Sequence, residues 1–346
     1  MSGRKLTRRQ AWRIEKVQAE RLARSDKKAS RVEGDLTGDE QPGVVVTRHG
    51  AQAEIAELID GRLGNIQRCH LRSNLSDLVC GDRVAWIPGD EEGLVTAIEP
   101  RTRRLARPSP FGGERVMAAN LDQLLIVGAL MPPPGPDTID RFLIAARLTD
   151  IEAVVVLNKI DLTEVAPELA DLREELVDTY TSLGHRVLET SARTVEGLAP
   201  LIDCMRGRVS ALVGQSGVGK SSLVQALLPD QDLRVGELDE RGQGKHTTSQ
   251  GRLYQLPSDG WLIDSPGIRA FGLSDLHREQ VLIGFPEVAH AAESCKFRDC
   301  MHDQEPKCGV HAALESGELS ALRYANYLAL AAEAVAPKHP RKGRER

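Results

Sequence analysis

The chain has 346 residues, 41% hydrophobic content and a formal net charge of −5. Its length predicts two to three domains, and its hydrophobic content excludes a wholly disordered chain. The negative charge excludes a wholly basic nucleic-acid-binding protein, although both ends are basic. No run approaches the ~18 to 20 apolar residues of a membrane helix, and the N-terminus lacks a signal-peptide core. We therefore expect a cytoplasmic protein with no membrane partner, and a monomer by default.

The first segment, residues 1–40, is predicted to be a basic arm, either flexible or helical only when bound. Its cationic side chains could neutralise RNA phosphates, or the arm could be a solvated tail that aids solubility. A second basic segment, residues 337–346, forms the C-terminal tail. The cationic residues of the arm are Arg4, Lys5, Arg8, Arg9, Arg13, Lys16, Arg21, Arg24, Lys27, Lys28 and Arg31.

Short β-type runs fill residues 41–102, namely GVVVT, AEIAELI, LVCGDRVAWI and GLVTAIEP. Glycine, asparagine and aspartate separate these runs, which favours a small antiparallel barrel. A five-stranded barrel of the OB-fold type is the prediction for this domain.

Continuous apolar runs mark the next domain, residues 103–275. LLIV, AVVVL and VSALV are each followed by a polar loop and separated by segments of helix length. Runs of this kind are typical of a parallel sheet buried on both faces, as in α/β nucleotide-binding domains.

A phosphate-binding loop is the strongest local motif. The segment GQSGVGKS follows VSALV and matches GxxxxGK[ST], with the preceding strand that the motif requires. Its backbone N–H groups and Lys220 would contact phosphates, and the Ser221 hydroxyl would bind Mg²⁺. The alternative is a glycine-rich turn with an incidental lysine. The predicted residues are Gly214, Gln215, Ser216, Gly217, Val218, Gly219, Lys220 and Ser221.

Guanine is the predicted base because NKID, residues 158–161, follows AVVVL and resembles the NKxD motif of GTPases. Asp161 would accept hydrogen bonds from guanine N1 and N2, which adenine cannot donate, and such sites discriminate by roughly 10⁴. The segment TSA resembles the loop whose backbone contacts guanine O6. The predicted base-binding residues are Asn158, Lys159, Asp161, Ser191 and Ala192.

Two further segments are predicted to surround the γ-phosphate. In DSPG, Asp264 would hold Mg²⁺ through water and the Gly267 N–H would contact the γ-phosphate, although DSPG could also be a simple β-turn. In GQGKHTT, a threonine would add a Mg²⁺ ligand when the γ-phosphate orders the loop. Thr248 is the first candidate for this ligand and Thr247 the second.

Slow intrinsic hydrolysis is predicted, because Ile268 occupies the position where Ras-like enzymes carry a water-orienting glutamine. His246 is the candidate to orient or deprotonate the attacking water, and the alternative is a solvent-facing loop histidine. The order of the motifs is also unusual. Ordinary GTPases place the phosphate-binding loop before NKxD, whereas here NKxD and TSA come first, which indicates a circular permutation.

A metal site is predicted in residues 276–336, where three cysteines and a histidine follow the spacing C-x₄-C-x-H-x₅-C. Three thiolates and one imidazole suit a tetrahedral, structural zinc ion and leave no open catalytic position. The alternatives are an unliganded cluster, or His311 as a competing ligand. The predicted zinc ligands are Cys295, Cys300, His302 and Cys308.

The permuted order NKID, TSA, GQSGVGKS, GQGKHTT and DSPG, followed by the zinc spacing, resembles the ribosome-small-subunit-dependent GTPase family, also called RsgA. AANLDQ at residues 118–123 adds to the resemblance, which covers about residues 41–330. It implies an OB-fold, a permuted GTPase domain and a mainly helical zinc domain, with GTP, Mg²⁺ and one structural zinc as cofactors. It extends the phosphate-binding segment to Ser222.

The resemblance also implies an activity and a partner. These are GTP hydrolysis in late maturation of the small ribosomal subunit, binding to its rRNA, and stimulation by that subunit. Two alternatives stay open from the residues alone. One is a nucleotide-gated RNA-binding scaffold with incidental hydrolysis, and the other is a metallochaperone, whose cysteines would exchange zinc readily.

Overall fold

The protein contains a β-barrel, a central α/β domain and a C-terminal helical module, in that order along the chain. This arrangement confirms the predicted multidomain α/β architecture. The domain boundaries drawn from the sequence stay predictions. The basic arm up to residue 35, the basic tail and the segments GQGKHTT and SPG lie outside the described residues. A computed structural model describes residues 36–75, 77–108, 114–134, 138–229, 251–264 and 276–334.

Five strands close the barrel. They pair in the order β1-β2-β3-β5-β4, β4 returns to β1, and β3 with β5 is the parallel pair. Apolar side chains that alternate along the strands fill the interior, where Ile55 and Trp86 are almost fully buried. The strands are β1 (Gln41–His49), β2 (Gln52–Ile59), β3 (Arg62–Leu71), β4 (Arg83–Ile87) and β5 (Gly93–Ile98), with a 3-10 helix at Ser73–Leu75.

Three details of the barrel differ from the sequence-based prediction. The strand β3 was absent from the predicted runs, because only its last three residues are buried and its sequence is largely polar. The run LVCGDRVAWI is a strand only from Arg83, since Asp82 accepts a hydrogen bond from the Val79 N–H at 2.8 Å in a preceding turn. The end of the predicted arm packs on the barrel, where the Thr37 N–H donates to Pro88 O at 3.1 Å.

A hairpin of β6 (Arg104–Pro108) and β7 (Glu114–Ala119) follows the barrel. Asn120 ends this hairpin in the left-handed backbone region, with φ of 57°. Its side-chain amide donates to Gly81 O at 2.9 Å and accepts from the Thr102 N–H at 3.0 Å. The asparagine of AANLDQ therefore ties the hairpin to the turn before β4.

The central domain has a six-stranded sheet in the order β10-β9-β8-β11-β13-β12, in which only β12 is antiparallel to its neighbour within the domain. The predicted runs LLIV, AVVVL and VSALV form β8, β9 and β11. The strands are β8 (Gln123–Ala129), β9 (Glu152–Asn158), β10 (Arg186–Thr190), β11 (Val209–Val213), β12 (Arg252–Gln255) and β13 (Trp261–Asp264).

Helices cover both faces of this sheet, which explains why its central strands are apolar throughout. One face packs on a core that contains residues of α1 and α3, and the other on residues of α4 and α5. The helices are α1 (Thr138–Leu148), α2 (Leu162–Val165), α3 (Leu169–Ser182), α4 (Leu198–Met205) and α5 (Lys220–Leu227).

A turn of three residues, 206–208, joins α4 to β11. Gly207 has φ of 66°, and its N–H donates to Asp259 O at 3.2 Å. The chain thus passes directly from the helix after the TSA segment to the strand before the predicted phosphate-binding loop. This short connection accounts for the permuted order of the motifs, because it places NKID and TSA before the predicted phosphate-binding loop in the chain.

The C-terminal module consists of four helices around one apolar cluster. None of the helices in the described ranges has the length and apolar character needed to cross a membrane. Cys69, Cys80 and Cys204 are buried free thiols. The helices are α6 (Arg278–Ile283), α7 (Pro286–Ala292), α8 (Gly309–Ser316) and α9 (Ala321–Glu333).

Candidate nucleotide and metal sites

The predicted nucleotide-binding segments meet at one edge of the central sheet. Strands β9, β10 and β11 are parallel members of this sheet, so the loops at their carboxyl ends lie together. Clefts at this edge are where open α/β sheets bind ligands. The loops concerned are residues 158–161 after β9, 191–193 after β10 and 214–219 after β11.

The glycine-rich loop, residues 214–219, needs glycine at its ends. Gly214 has φ of 140°, and a Cβ there would lie 2.2 Å from Val127 O. Gly219 has φ of 92°, and a Cβ there would lie 2.4 Å from Asn158 Nδ2. Helix α5 begins directly after the loop, so its free N–H groups and the positive end of its dipole face the same edge of the sheet.

Some side chains of the glycine-rich loop are buried and others face solvent. Val218 is 1% exposed and packs in the core, whereas Gln215, Ser216 and Gly217 face solvent. The Lys220 ammonium donates to Gly214 O at 2.8 Å and to Gln215 O at 2.5 Å, so it is folded over the loop. In the first turn of α5, Ser221 is half-buried and Ser222 is exposed.

Asn158 connects all three loops. Its amide donates to Val218 O at 2.9 Å, and its carbonyl oxygen accepts from Thr190 Oγ1 and from the Ala192 N–H, both at 3.3 Å. Lys159 adds a second connection, because its ammonium donates to Gly217 O and to Met131 O, both at 2.7 Å. The structure therefore brings NKID, TSA and the glycine-rich loop together.

Asp161 is a buried carboxylate, 5% exposed, with two different partners. Its Oδ1 accepts from the Ser191 hydroxyl at 2.6 Å. Its Oδ2 pairs with Arg193 Nε at 2.9 Å. No motif marks Arg193, and the only sequence signal for it is its position directly after Ser191 and Ala192.

The γ-phosphate segments are described only in part. Asp264 ends β13, which pairs in parallel with β11, so it lies at the same sheet edge as the glycine-rich loop. His246, Thr247, Thr248 and Gly267 lie outside the described residues. Their predicted roles therefore stay predictions.

The cysteine and histidine cluster lies between α7 and α8. The donor atoms of all four predicted ligands lie within 4.8 Å of one another. Cys295 Sγ is 3.9 Å from Cys308 Sγ, and His302 Nδ1 is 3.5 and 3.6 Å from these two sulfurs. With zinc bonds of about 2.3 Å to sulfur and 2.0 Å to nitrogen, tetrahedral geometry places two sulfurs about 3.8 Å apart and a sulfur and a nitrogen about 3.5 Å apart. The residues present therefore fit a zinc ion.

The surroundings of the cluster also suit a metal. Burial lowers the pKa of His302, and the Arg278 charge lowers it further, which keeps the imidazole neutral as a ligand must be. Burial and the neighbouring thiols raise the pKa of Cys300 to about 12, a cost that coordination to a cation removes. His311 is outside the cluster, since its Nε2 contacts the Tyr324 hydroxyl at 2.9 Å.

Comparison with known proteins agrees with this geometry. A family model described as RsgA GTPase matches residues 98–274. The small ribosomal subunit biogenesis GTPase RsgA of Ectopseudomonas mendocina is 47% identical over 333 residues, which cover 94% of this chain and 96% of that protein. The protein of the same name from Azotobacter vinelandii is 46% identical and covers 98% of this chain and 100% of its own. The chain belongs to the RsgA GTPase family.

Solved structures extend this result to the fold. The crystal structure of YjeQ from Thermotoga maritima superposes with a TM-score of 0.66 at 30% identity and covers 85% of this chain and 98% of that one. The structure of YloQ, described as a circularly permuted GTPase, gives a TM-score of 0.63 at 28% identity, with 85% and 95% covered. This RsgA-family chain is thus a circularly permuted GTPase that hydrolyses GTP.

Proposed function

We propose that this GTPase acts in late maturation of the small ribosomal subunit, where binding to the subunit and its rRNA stimulates GTP hydrolysis. The nucleotide site is supported mainly by the hydrogen bonds of Asn158 and Lys159, which connect NKID to the glycine-rich loop. The relatives named as small ribosomal subunit biogenesis GTPases support the choice of partner. Family membership favours an enzyme over the scaffold alternative.

Base recognition rests on Asp161 in this proposal. The buried carboxylate accepts hydrogen bonds from guanine N1 and N2, and the Ala192 N–H is available to guanine O6. With ATP the Asp161 carboxylate would lose these two donors, and a hydrogen bond to a charged group contributes about 1.5 to 3 kcal/mol, against about 0.5 to 1.5 kcal/mol for a neutral pair. GTP is therefore bound in preference to ATP.

Phosphate binding rests on the glycine-rich loop and the first turn of α5. Lys220 leaves its two carbonyl partners for the β- and γ-phosphates, while N–H groups of the loop surround the phosphate oxygens. Ser221 and Thr248, with Asp264 through water, would hold Mg²⁺, which when bound offsets charge on the phosphates. Thr247 is the second candidate, and the Gly267 N–H would contact the γ-phosphate.

Hydrolysis splits GTP and water into GDP and phosphate, and His246 is the proposed residue that orients the attacking water or accepts its proton. Ile268 cannot perform this task, so intrinsic hydrolysis is slow and binding to the small subunit stimulates it. Changing His246 to Ala should abolish stimulated turnover and leave GDP affinity intact. The exposed His290, changed to Ala, is a matched control.

The cluster of Cys295, Cys300, His302 and Cys308 holds one structural zinc ion that organises the C-terminal module. The basic arm and the barrel are the proposed RNA-contacting segments, and the arm contributes mainly through phosphate contacts. A cytoplasmic, monomeric protein accords with this role.

The deciding experiment is GTP hydrolysis by the purified protein alone and with isolated small or large ribosomal subunits, at several salt concentrations. Selective stimulation by small subunits that weakens as salt rises is the expected result, because phosphate contacts release counterions. Equal slow turnover in all mixtures would contradict the proposed partner. The assay with small subunits is then repeated with the His246→Ala and His290→Ala proteins.

A further inference from the structure

Arg193 is placed to act on the base-recognising carboxylate, although no motif assigns it a role. It follows Ser191 and Ala192 directly, and its Nε lies 2.9 Å from Asp161 Oδ2. The Arg193 side chain is 69% exposed, while Asp161 is 5% exposed. The guanidinium therefore reaches from solvent onto the outer oxygen of a buried carboxylate.

The two oxygens of Asp161 are held by different groups. The Thr194 N–H donates to Ser191 Oγ at 3.1 Å, which directs the Ser191 hydroxyl proton to Asp161 Oδ1 at 2.6 Å. Arg193 holds Oδ2 independently. One partner would leave the carboxylate free to rotate about its bond, whereas two partners on opposite oxygens fix its plane.

A fixed plane matters because guanine offers two donors side by side, the N1–H and the exocyclic amine at C2. A carboxylate has about four lone-pair positions, so each oxygen of Asp161 can accept one more hydrogen bond. We propose that Arg193 is a positioning residue for guanine recognition, which holds the Asp161 carboxylate in the plane that meets both donors. This inference rests on the proposed role of Asp161 as the guanine acceptor.

Because Arg193 is exposed, a role in base recognition can be distinguished from a role in folding stability. The charge of Arg193 is screened by water and salt because its side chain is largely in solvent, and the Asp161 carboxylate keeps its hydrogen bond from Ser191 when Arg193 is lost. Loss of Arg193 should therefore leave the thermal midpoint unchanged while altering base discrimination. If Arg193 instead packed against the base or ribose, its loss would weaken all purine nucleotides equally.

The test measures dissociation constants for GDP and for inosine diphosphate, which lacks the amine at C2. Wild-type protein is compared with Arg193→Gln, Arg193→Lys and the control Arg206→Gln, whose arginine is exposed and pairs with Asp203 at 2.7 Å. The preference for GDP should fall roughly tenfold in Arg193→Gln, the value of one hydrogen bond to a charged group. It should recover in part in Arg193→Lys and stay unchanged in Arg206→Gln.

Three results would overturn the inference. An undiminished preference for GDP in Arg193→Gln, or equal weakening of both nucleotides, would contradict the positioning role of Arg193. The assignment of Asp161 as the guanine acceptor would not be affected. Equal affinity of the wild-type protein for GDP and inosine diphosphate would instead overturn the assignment of Asp161, and the inference with it. The melting temperatures of the four proteins, measured in parallel, exclude misfolding as the cause.

Discussion

The central domain is contacted by the C-terminal module at α1 and by the barrel at β12, and charge is used differently in the two contacts. At α1 the charged groups are buried and share several hydrogen bonds. At β12 they are partly exposed, and they add to an apolar contact between the barrel and the central domain. The comparison shows at which contact the loss of a charged side chain costs more.

The contact at α1 is centred on Asp140, which is fully buried. Arg323 Nη1 pairs with its Oδ1, and the Asn326 amide donates to its Oδ2 at 2.5 Å. Arg323 also donates to Glu287 at 2.7 Å, and its guanidinium lies 4.0 Å from the ring centroid of Phe285. Burial raises the pKa of Asp140, and the Arg323 charge opposes this shift.

The polar interactions at β12 are few. Strand pairing between β1 and β12 is limited to Thr47 opposite Arg252. Arg252 Nη1 lies 2.9 Å from Glu54 Oε2, and these side chains are 40% and 24% exposed. The Leu63 N–H donates to Gln255 at 2.9 Å. Solvent screens this partly exposed pair, but apolar residues of β1 and β2 share a buried cluster with residues of β12 and β13, which holds the barrel on the central domain.

The largest expected effect is that of zinc removal. The core of the C-terminal module contains Cys300 and Cys308, and metal binding in small zinc modules is worth roughly 10 to 16 kcal/mol. A chelator should therefore unfold residues 276–334 and leave the barrel and its contact at β12 intact. Limited proteolysis with mass spectrometry will locate the cleavage sites.

Cys300→Ser should reproduce the chelator result without chelator, and Cys204→Ser, at a free buried thiol of the central domain, is its control. An identical cleavage pattern with and without zinc would show that helix packing alone holds the module.

Arg323→Ala should give the next largest effect. Removing one member of a buried pair leaves Asp140 as an unpaired buried charge, which costs roughly 3 to 5 kcal/mol. The matched control is Arg141→Ala, because Arg141 also joins α1 to α9 but pairs with the exposed Glu333 at 2.7 Å. Its loss should cost at most about 1 kcal/mol. Hydrogen exchange of the α9 amides measures the loss of stability in both variants. Equal losses would contradict the distinction between the buried ion pair and the exposed one.

The smallest effect is expected at the barrel contact. A double-mutant cycle of Arg252→Ala and Glu54→Ala should give a coupling free energy of about 0.2 to 1 kcal/mol in low salt. It should vanish near 1 M salt, where the screening length is about 3 Å. Urea unfolding of the four proteins supplies the free energies. A coupling that exceeds about 2 kcal/mol and resists salt would show that this contact is also rigid.

Sequence patterns predicted the parts of this molecule that local chemistry determines. The glycine-rich loop, NKID and the group of three cysteines and one histidine could be recognised because each group of residues is close in sequence and follows or precedes a recognisable element. The apolar runs of β8, β9 and β11 were found because both faces of the sheet are covered. The strand β3 was missed, since much of it faces solvent and its side chains are polar.

Contacts between residues that are far apart in sequence could not be predicted from sequence patterns. Asp140 and Arg323 are 183 positions apart, and each looks like an ordinary charged residue of a surface helix. Arg193 likewise acquires its partner only when β9 and β10 lie side by side, with Thr190 opposite Asn158. The roles of His246 and Thr248 are still supported by sequence alone.

The short turn at residues 206–208 has a consequence for synthesis of the chain. Within the central domain, strands β8, β9 and β10 are translated before β11, which pairs with the edge of β8 that β9 leaves free, and β12 and β13 follow. The 60 positions from Asn158 to Val218 correspond to roughly 3 to 12 s of translation at about 5 to 20 residues per second. During synthesis the segment proposed to recognise the base thus emerges before the segment proposed to bind the phosphates, the reverse of the order in an ordinary GTPase.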